Sequence, residues 1–221
     1  MIGTFDYVRV GSVEEGCSLL AAHSGSAVAL AGGTDLLVSI RNTGRSPDLL
    51  VDFKEVARMN ELTKDKGAGV KIGACVPLNV IADNTLINDR FTALAAAARS
   101  VGSYQVRNRA TLGGNIANAS PAADTAPALL VLDASVNVVG EDGARIIPIQ
   151  KLFTGVKKTS LRTGEVITDI TLPPMGEHAS SVFIKKQRVK GHDLAIINMA
   201  GYYDPDLRLL RIAIGLSLIH I

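Results

Sequence analysis

Tryptophan is absent from this chain of 221 residues, and aromatic residues of any kind make up only 4% of it. A platform that stacks unpaired bases needs exposed aromatics, so that class of nucleic-acid binder is excluded. The formal net charge of +2 removes the electrostatic case for a polyanionic partner as well. Cysteine occurs twice, at Cys17 and Cys75, with no CxxC and no Cys/His cluster. Isolated thiols hold neither zinc nor an iron–sulfur cluster, and they suit a reducing compartment. The four histidines (His23, His178, His192 and His220) fall in no metal-ligand spacing. GxSxG and GxxxxGK[ST] are missing, which removes the serine-hydrolase elbow and the P-loop. No apolar run reaches membrane-spanning length; residues 126–140 come nearest and are broken by Asp133. The amino terminus lacks the basic and apolar regions of a secretory signal, so a cytoplasmic location is expected.

Against these absences stand two glycine pairs, Ala31-Gly32-Gly33-Thr34-Asp35 and Thr111-Leu112-Gly113-Gly114-Asn115. Paired glycines permit positive φ and close backbone approach, so successive N–H groups can converge on an anion. Two such loops, far apart in sequence, suit one pyrophosphate gripped from both sides and hence a dinucleotide cofactor.

Hydrophobic periodicity and turn signals divide the chain. Ser12 with Glu15 reads as a capping box opening a helix that ends near Gly25. A buried strand over 27–31 delivers the first glycine pair, a helix follows over 34–41, and 48–53 is a second strand. This β–Gly-Gly–α–β order resembles a nucleotide-binding unit, but the spacing is not GxGxxG, so it is not read as a Rossmann unit. From about residue 56 the pattern gives a strand over 70–74, a helix from Pro77 to about Asp83, an alanine-rich helix over 91–100, and a helix over 126–132. A hairpin turns at Glu141-Asp142-Gly143, and a strand over 165–172 ends at Pro173-Pro174. Beyond that break, 180–188, 194–203 and 207–214 read as antiparallel strands without a covering helix, which leaves one sheet face bare. The expected units are 1–55, 56–175 and 176–221.

The polar stretch 102–124 shows no helical period and is expected to be a long functional loop. Gln105, Arg107, Asn108 and Arg109 precede the second glycine pair; Asn115, Asn118, Ser120 and Asp124 follow it. Thr111 and Asn115 are candidates to donate to phosphate beside the backbone of Gly113 and Gly114, and Asp124 to accept from ribose hydroxyls. On residues alone, a polar loop that satisfies its own turns is the favoured reading. The basic run from Lys185 to Lys190 reads either as a solvated strand edge or as a cation beside an anionic cofactor group.

Taken together, the first glycine loop and the run from Thr111-Leu112-Gly113-Gly114-Asn115 through Asn118 to Asp124 resemble the FAD-binding medium subunit of molybdenum hydroxylases. That family includes aerobic carbon monoxide dehydrogenases and bacterial xanthine dehydrogenases. Phe5-Asp6-Tyr7, the 48–53 strand, Gln105-Val106-Arg107-Asn108-Arg109 and the 166–173 strand are similar too, and the likeness runs to about Gly215. It implies an α+β fold of the vanillyl-alcohol-oxidase type, with FAD between two subdomains and a truncated C-terminal α+β domain. By the same resemblance, residues 31–35 and 111–115, Leu112 included, wrap the pyrophosphate. Ala29, Leu30 and Leu36 flank the first loop, and Ala110 and Ala117 pack near the cofactor. Asn118 and Asp124 contact FAD further along, Ile167 lies close to the flavin, and Lys185 approaches the ring system.

The resemblance also implies partners: a molybdopterin subunit and an iron–sulfur subunit that feed electrons to FAD, and NAD or a quinone-type acceptor that removes them. No catalytic acid or base is expected, and no metal. A stand-alone flavoprotein oxidoreductase and a cofactor-free assembly module are the alternatives. The last residues, Leu216-Ser217-Leu218-Ile219-His220-Ile221, do not resemble the family and read either as translated sequence foreign to it or as a divergent end. With that tail, an incomplete sheet edge and poor solubility are expected.

Overall fold

A short, fully buried aliphatic strand suits the centre of a parallel sheet, and the first sheet is built around one. The computed structural model describes residues 4–216 except 24, 45, 65, 66, 68, 190 and 192, with the backbone of 219 and 220. Expectations for Lys190, His192 and tail residues 217, 218 and 221 fall outside these described residues. In chain order the first unit comprises β1 (Asp6–Arg9), α1 (Val13–Ala22), β2 (Ala27–Leu30), α2 (Leu36–Thr43) and β3 (Leu49–Asp52). Both β1 and β2 run parallel to the central β3, whose four residues are all buried. Ser12 Oγ caps α1 by accepting from Glu15 N at 3.1 Å. The Glu15 carboxylate reaches Gly11 N at 3.0 Å, one residue earlier than the reciprocal capping box requires.

The second sheet combines β4 (Leu62–Lys64), β5 (Val70–Gly73), β6 (Ser135–Gly140), β7 (Gly143–Pro148) and β10 (Val166–Leu172) in the order β4-β5-β10-β6-β7. Between β5 and β6 lie α3 (Leu78–Asp83), α4 (Thr85–Arg90), α5 (Thr92–Ser100), α6 (Tyr104–Arg107), α7 (Leu112–Ala117) and α8 (Thr125–Val131). After β7 come α9 (Ile149–Leu152) and the small hairpin β8 (Phe153–Gly155) and β9 (Lys158–Thr159). The third sheet is antiparallel: β11 (Ser180–Lys186), β12 (Ile197–Asp204), β13 (Leu209–Ile214) and β14 (Ile219–His220).

Three expectations change. Residues 102–124 are not an irregular loop: Ser103 caps α6 and Thr111 caps α7, in helices of four and six residues that are too short to print a period. The first glycine pair runs into α2 only at Leu36, because Gly33 at φ +75° forces a turn first. The third sheet does have a covering layer on its inner face, borrowed from the preceding region. There α5 packs on β11 and α8 on β12 and β13. Ala200, Tyr202 and Ala213 join a hydrophobic core that begins at Val10 and crosses all three sheets. The outer face carries exposed Val182, Ile184, Ile197, Met199, Tyr203 and Leu210.

Candidate functional site

The carboxyl ends of parallel strands open crevices where ligands bind. At the carboxyl end of β2 begins a cavity of about 880 Å³ that reaches β10 and β11 and is therefore bordered by all three sheets. That volume falls within the range of small-molecule sites. Ala29, Leu30, Ala31, Gly32, Gly33, Thr34, Asp35 and Leu36 line one side. Ala110, Thr111, Gly113, Gly114, Asn115, Ala117, Asn118 and Asp124 line another, with Ile167 and Lys185 closing it. Leu112 is the exception among the expected residues: its side chain is fully buried in the core and does not reach the cavity.

The two glycine loops differ in what they offer. The N–H groups of Gly32, Gly33, Thr34 and Asp35 have no partner in the protein among the described residues. They precede α2, whose amino-terminal partial positive charge adds to theirs. The loop is pinned by Lys54 Nζ, which donates to the Ala31 carbonyl at 3.3 Å. In the second loop the N–H groups are already spent. Leu112 N donates to Val76 O, Gly113 N to Ala74 O, Gly114 N to Thr111 Oγ1 and Asn115 N to Thr111 O, at 3.0–3.4 Å. The expectation of two facing backbone nests is thus corrected: capping and docking consume the donors of α7. What the second loop presents is side chains. Thr111 Oγ1 accepts within the cap and keeps its own proton to donate. Asn115 Oδ1 accepts from Thr125 Oγ1 at 2.6 Å, which turns the amide nitrogen outward as a donor.

The glycines themselves serve close contact with backbone of neighbouring segments. A Cβ on Gly32 would collide with the Arg109 carbonyl, and one on Gly113 would meet the Ala74 carbonyl oxygen at 2.7 Å. Arg107 and Asn108 do not line the large cavity; they fix the approach to it. Asn79 joins them, donating to Asn108 Oδ1 at 2.7 Å and accepting from Arg107 Nε at 2.8 Å.

At the far end Lys185 Nζ lies 2.7 Å from Asp124 Oδ2, with the two side chains 8% and 6% exposed. Asn198 Nδ2 donates to the other oxygen of Asp124 at 2.9 Å. Sequence reading gave no sign of Asn198, Thr125, Val101 or Leu194, since each reaches the cavity or its second layer from a different part of the chain. Glu165 also lines the cavity. Hydrogen bonds from Arg145, at 2.7 Å to each oxygen, hold its carboxyl below the usual range despite burial. Among the described residues no cluster of His, Cys, Asp and Glu could hold a metal ion. No described helix is long and apolar enough to cross a membrane.

Residues 3–175 match the family model described as the FAD binding domain in molybdopterin dehydrogenase. The xanthine dehydrogenase FAD-binding subunit of Escherichia coli O157:H7 is 30% identical, over 96% of this chain and 73% of the relative. The carbon monoxide dehydrogenase medium chain of Hydrogenophaga pseudoflava is 30% identical, over 85% of this chain and 65% of the relative. The solved carbon monoxide dehydrogenase of Hydrogenophaga pseudoflava superposes with a TM-score of 0.92 at 28% identity, covering 97% of this chain and 75% of the matched one. Quinoline 2-oxidoreductase from Pseudomonas putida 86 superposes at 0.89 with 26% identity, covering 98% of this chain and 75% of the other. With its α+β fold, a large cavity bordered by both glycine loops and a family match over most of its length, the chain belongs to the FAD-binding domain family of molybdopterin dehydrogenases.

Proposed function

We propose that this chain is the FAD-binding electron-transfer subunit of a molybdenum hydroxylase, working in the cytoplasm beside an iron–sulfur subunit and a molybdopterin subunit. The observation that carries this reading is the row of unpartnered N–H groups from Gly32 to Asp35 on the same cavity as the oriented Asn115 amide. Such a row, next to a helix start, suits the pyrophosphate of a dinucleotide. The relatives' names, a subunit of xanthine dehydrogenase and a medium chain of carbon monoxide dehydrogenase, support the assembly.

In this reading the first loop holds the pyrophosphate by backbone donors, and Thr111 and Asn115 hold it by side chains. Ala29, Leu30 and Leu36 shape the first loop, while Ala110 and Ala117 let backbone approach the cofactor. Asn118 and Asp124 contact it further along, with Ile167 and Lys185 toward the ring system. Bound FAD supplies the exchange between one-electron iron–sulfur donors and a two-electron acceptor, NAD or a quinone-type molecule. The protein's part is to position that group, exclude water and leave an edge for its partners; no acid–base residue is required. The units 1–55, 56–175 and 176–221 are proposed on the ground that each of the three larger sheets, and the β8–β9 hairpin, lies within one of them.

The test is FAD titration of the purified chain. One non-covalent FAD per chain, weakened about tenfold or more by Asn115→Ala through loss of a charge-assisted hydrogen bond, supports the reading. A folded chain that takes up no FAD overturns it. Anaerobic bleaching of the bound flavin by NADH or by a quinol then assigns the acceptor.

A further inference from the structure

Beside the FAD cavity lies a second recess of about 510 Å³, and the two share Gly102 and Lys185 in their walls. Arg99, Ser103, Tyr104, Arg107 and Gln187 also line it, and no described lining residue is acidic. Arginines are usually matched by carboxylates where they gather, but these are not. Arg99 donates through Nη2 to the Ala82 carbonyl and to Asn88 Oδ1. Arg107 donates through Nε to Asn79 and through Nη1 to the Val101 carbonyl. Every partner is neutral, so both charges stay uncompensated, and neither residue has an ion-pair partner among the described residues. Arg99 Nε and Nη1 and Arg107 Nη2 are left over as donors. Guanidinium groups fixed by carbonyls, with spare N–H directions, match the oxygens of phosphate. The exposed Tyr104 ring, against which Arg107 stacks at 5.9 Å, adds an aromatic surface at the mouth.

We propose that this recess is an oxyanion site for the phosphate of a small molecule, and that it communicates with the FAD cavity through Lys185. The communication, not the site, rests on the function proposed above. The Lys185 ammonium already divides its hydrogen bonds between Asp124 and the Ser100 carbonyl at 3.1 Å. An oxyanion between the arginines competes with Asp124 for that ammonium and so changes the charge seen from the FAD side.

Calorimetric titration of inorganic pyrophosphate into the FAD-loaded full chain tests the site, because FAD already fills the first loop. Saturable binding is expected. Gln187→Glu sets a carboxylate among the cations and should weaken it about tenfold or more. Among the described residues the Gln187 side chain makes one bond, to Gly191 O at 3.5 Å, so a thermal melt equal to that of the parent is expected and confirms folding. Arg99→Gln should weaken binding as well. AMP binding more tightly than inorganic phosphate assigns an organic phosphate; equal affinities assign the free anion. A shift of the flavin visible band at pyrophosphate saturation, lost in Lys185→Met, supports the link, and saturation with no shift overturns it. No saturable binding to FAD-loaded protein, or binding that Gln187→Glu leaves unchanged, overturns the site while FAD binding stands. Pyrophosphate binding that is sensitive to Gln187→Glu in a folded chain taking up no FAD keeps the site and overturns the proposed function.

Discussion

Lys185, on the first strand of the third sheet, and Asp124, at the start of α8, form an ion pair of 2.7 Å from which water is almost excluded. The pair ties the third sheet to the helices beneath it, and Asn198 on the neighbouring strand holds the second carboxylate oxygen. Removing one partner strands the other charge in a site of low polarisability. Lys185→Met should therefore cost about 3–5 kcal/mol in urea unfolding. Lys185→Met combined with Asp124→Asn should cost less than Lys185→Met alone, because the stranded carboxylate is gone. A double variant less stable than the single one would show that the Asp124 carboxylate is not stranded without Lys185 but is held by its remaining partner, Asn198.

The glycines separate packing from mere turn formation. Ala at Gly32 or Gly113 drives a methyl into backbone of a neighbouring segment, so both variants should lose FAD binding and about 1–3 kcal/mol or more of stability. Gly11→Ala meets nothing within 4 Å and should be neutral or slightly stabilising. Parallel melts and FAD titrations of the three variants check this ordering.

Glu165 gives the stability a defined acid limb. Its folded-state carboxyl is held low by the Arg145 hydrogen bonds. The resulting stabilisation is complete above the unfolded value of about 4.3 and disappears as pH falls through the lower folded value. Glu165→Gln should be less stable than the parent at neutral pH, and the two should converge in acid. Denaturant midpoints measured across that range report the gap; a gap that does not change with pH would mean the ion pair contributes nothing.

Both thiols should be silent in the native protein. Burial pushes Cys75 up to about 12 and Cys17 up to about 11, and Cys17 Sγ also donates to the Val139 carbonyl at 3.4 Å. At about pH 8 only on the order of one thiol in a thousand or fewer is thiolate, and both are shielded from reagent. Labelling by a disulfide reagent should therefore follow unfolding by denaturant. Rapid native labelling of Cys17 would reveal opening of α1 from β6.

Much of the fold was legible because its signals are local. The Ser12 cap, the proline at the start of α3, the Glu141-Asp142-Gly143 turn and the alternation along the last strands each act within a few residues. The glycine loops stood out as candidate cofactor residues by their resemblance to a family, and all but Leu112 came together on one cavity. The helices α6 and α7 were hidden, since four and six residues cannot display a period and only the Ser103 and Thr111 caps announce them.

The sequence by itself determined the longer helices and main strands, the glycine positions and the absence of cysteines in metal-binding spacing, because these depend on backbone preference and composition. Tertiary structure alone decided which N–H groups remain free. Gly113 and Gly114 spend theirs on Ala74 and on the Thr111 cap, whereas Gly32 and Gly33 keep theirs. It also decided that Arg99, Arg107 and Lys185 share one recess with no carboxylate among its described lining residues. Hydrogen-bond satisfaction and charge compensation are properties of groups brought together from distant segments, and no local pattern encodes which of them will find a partner.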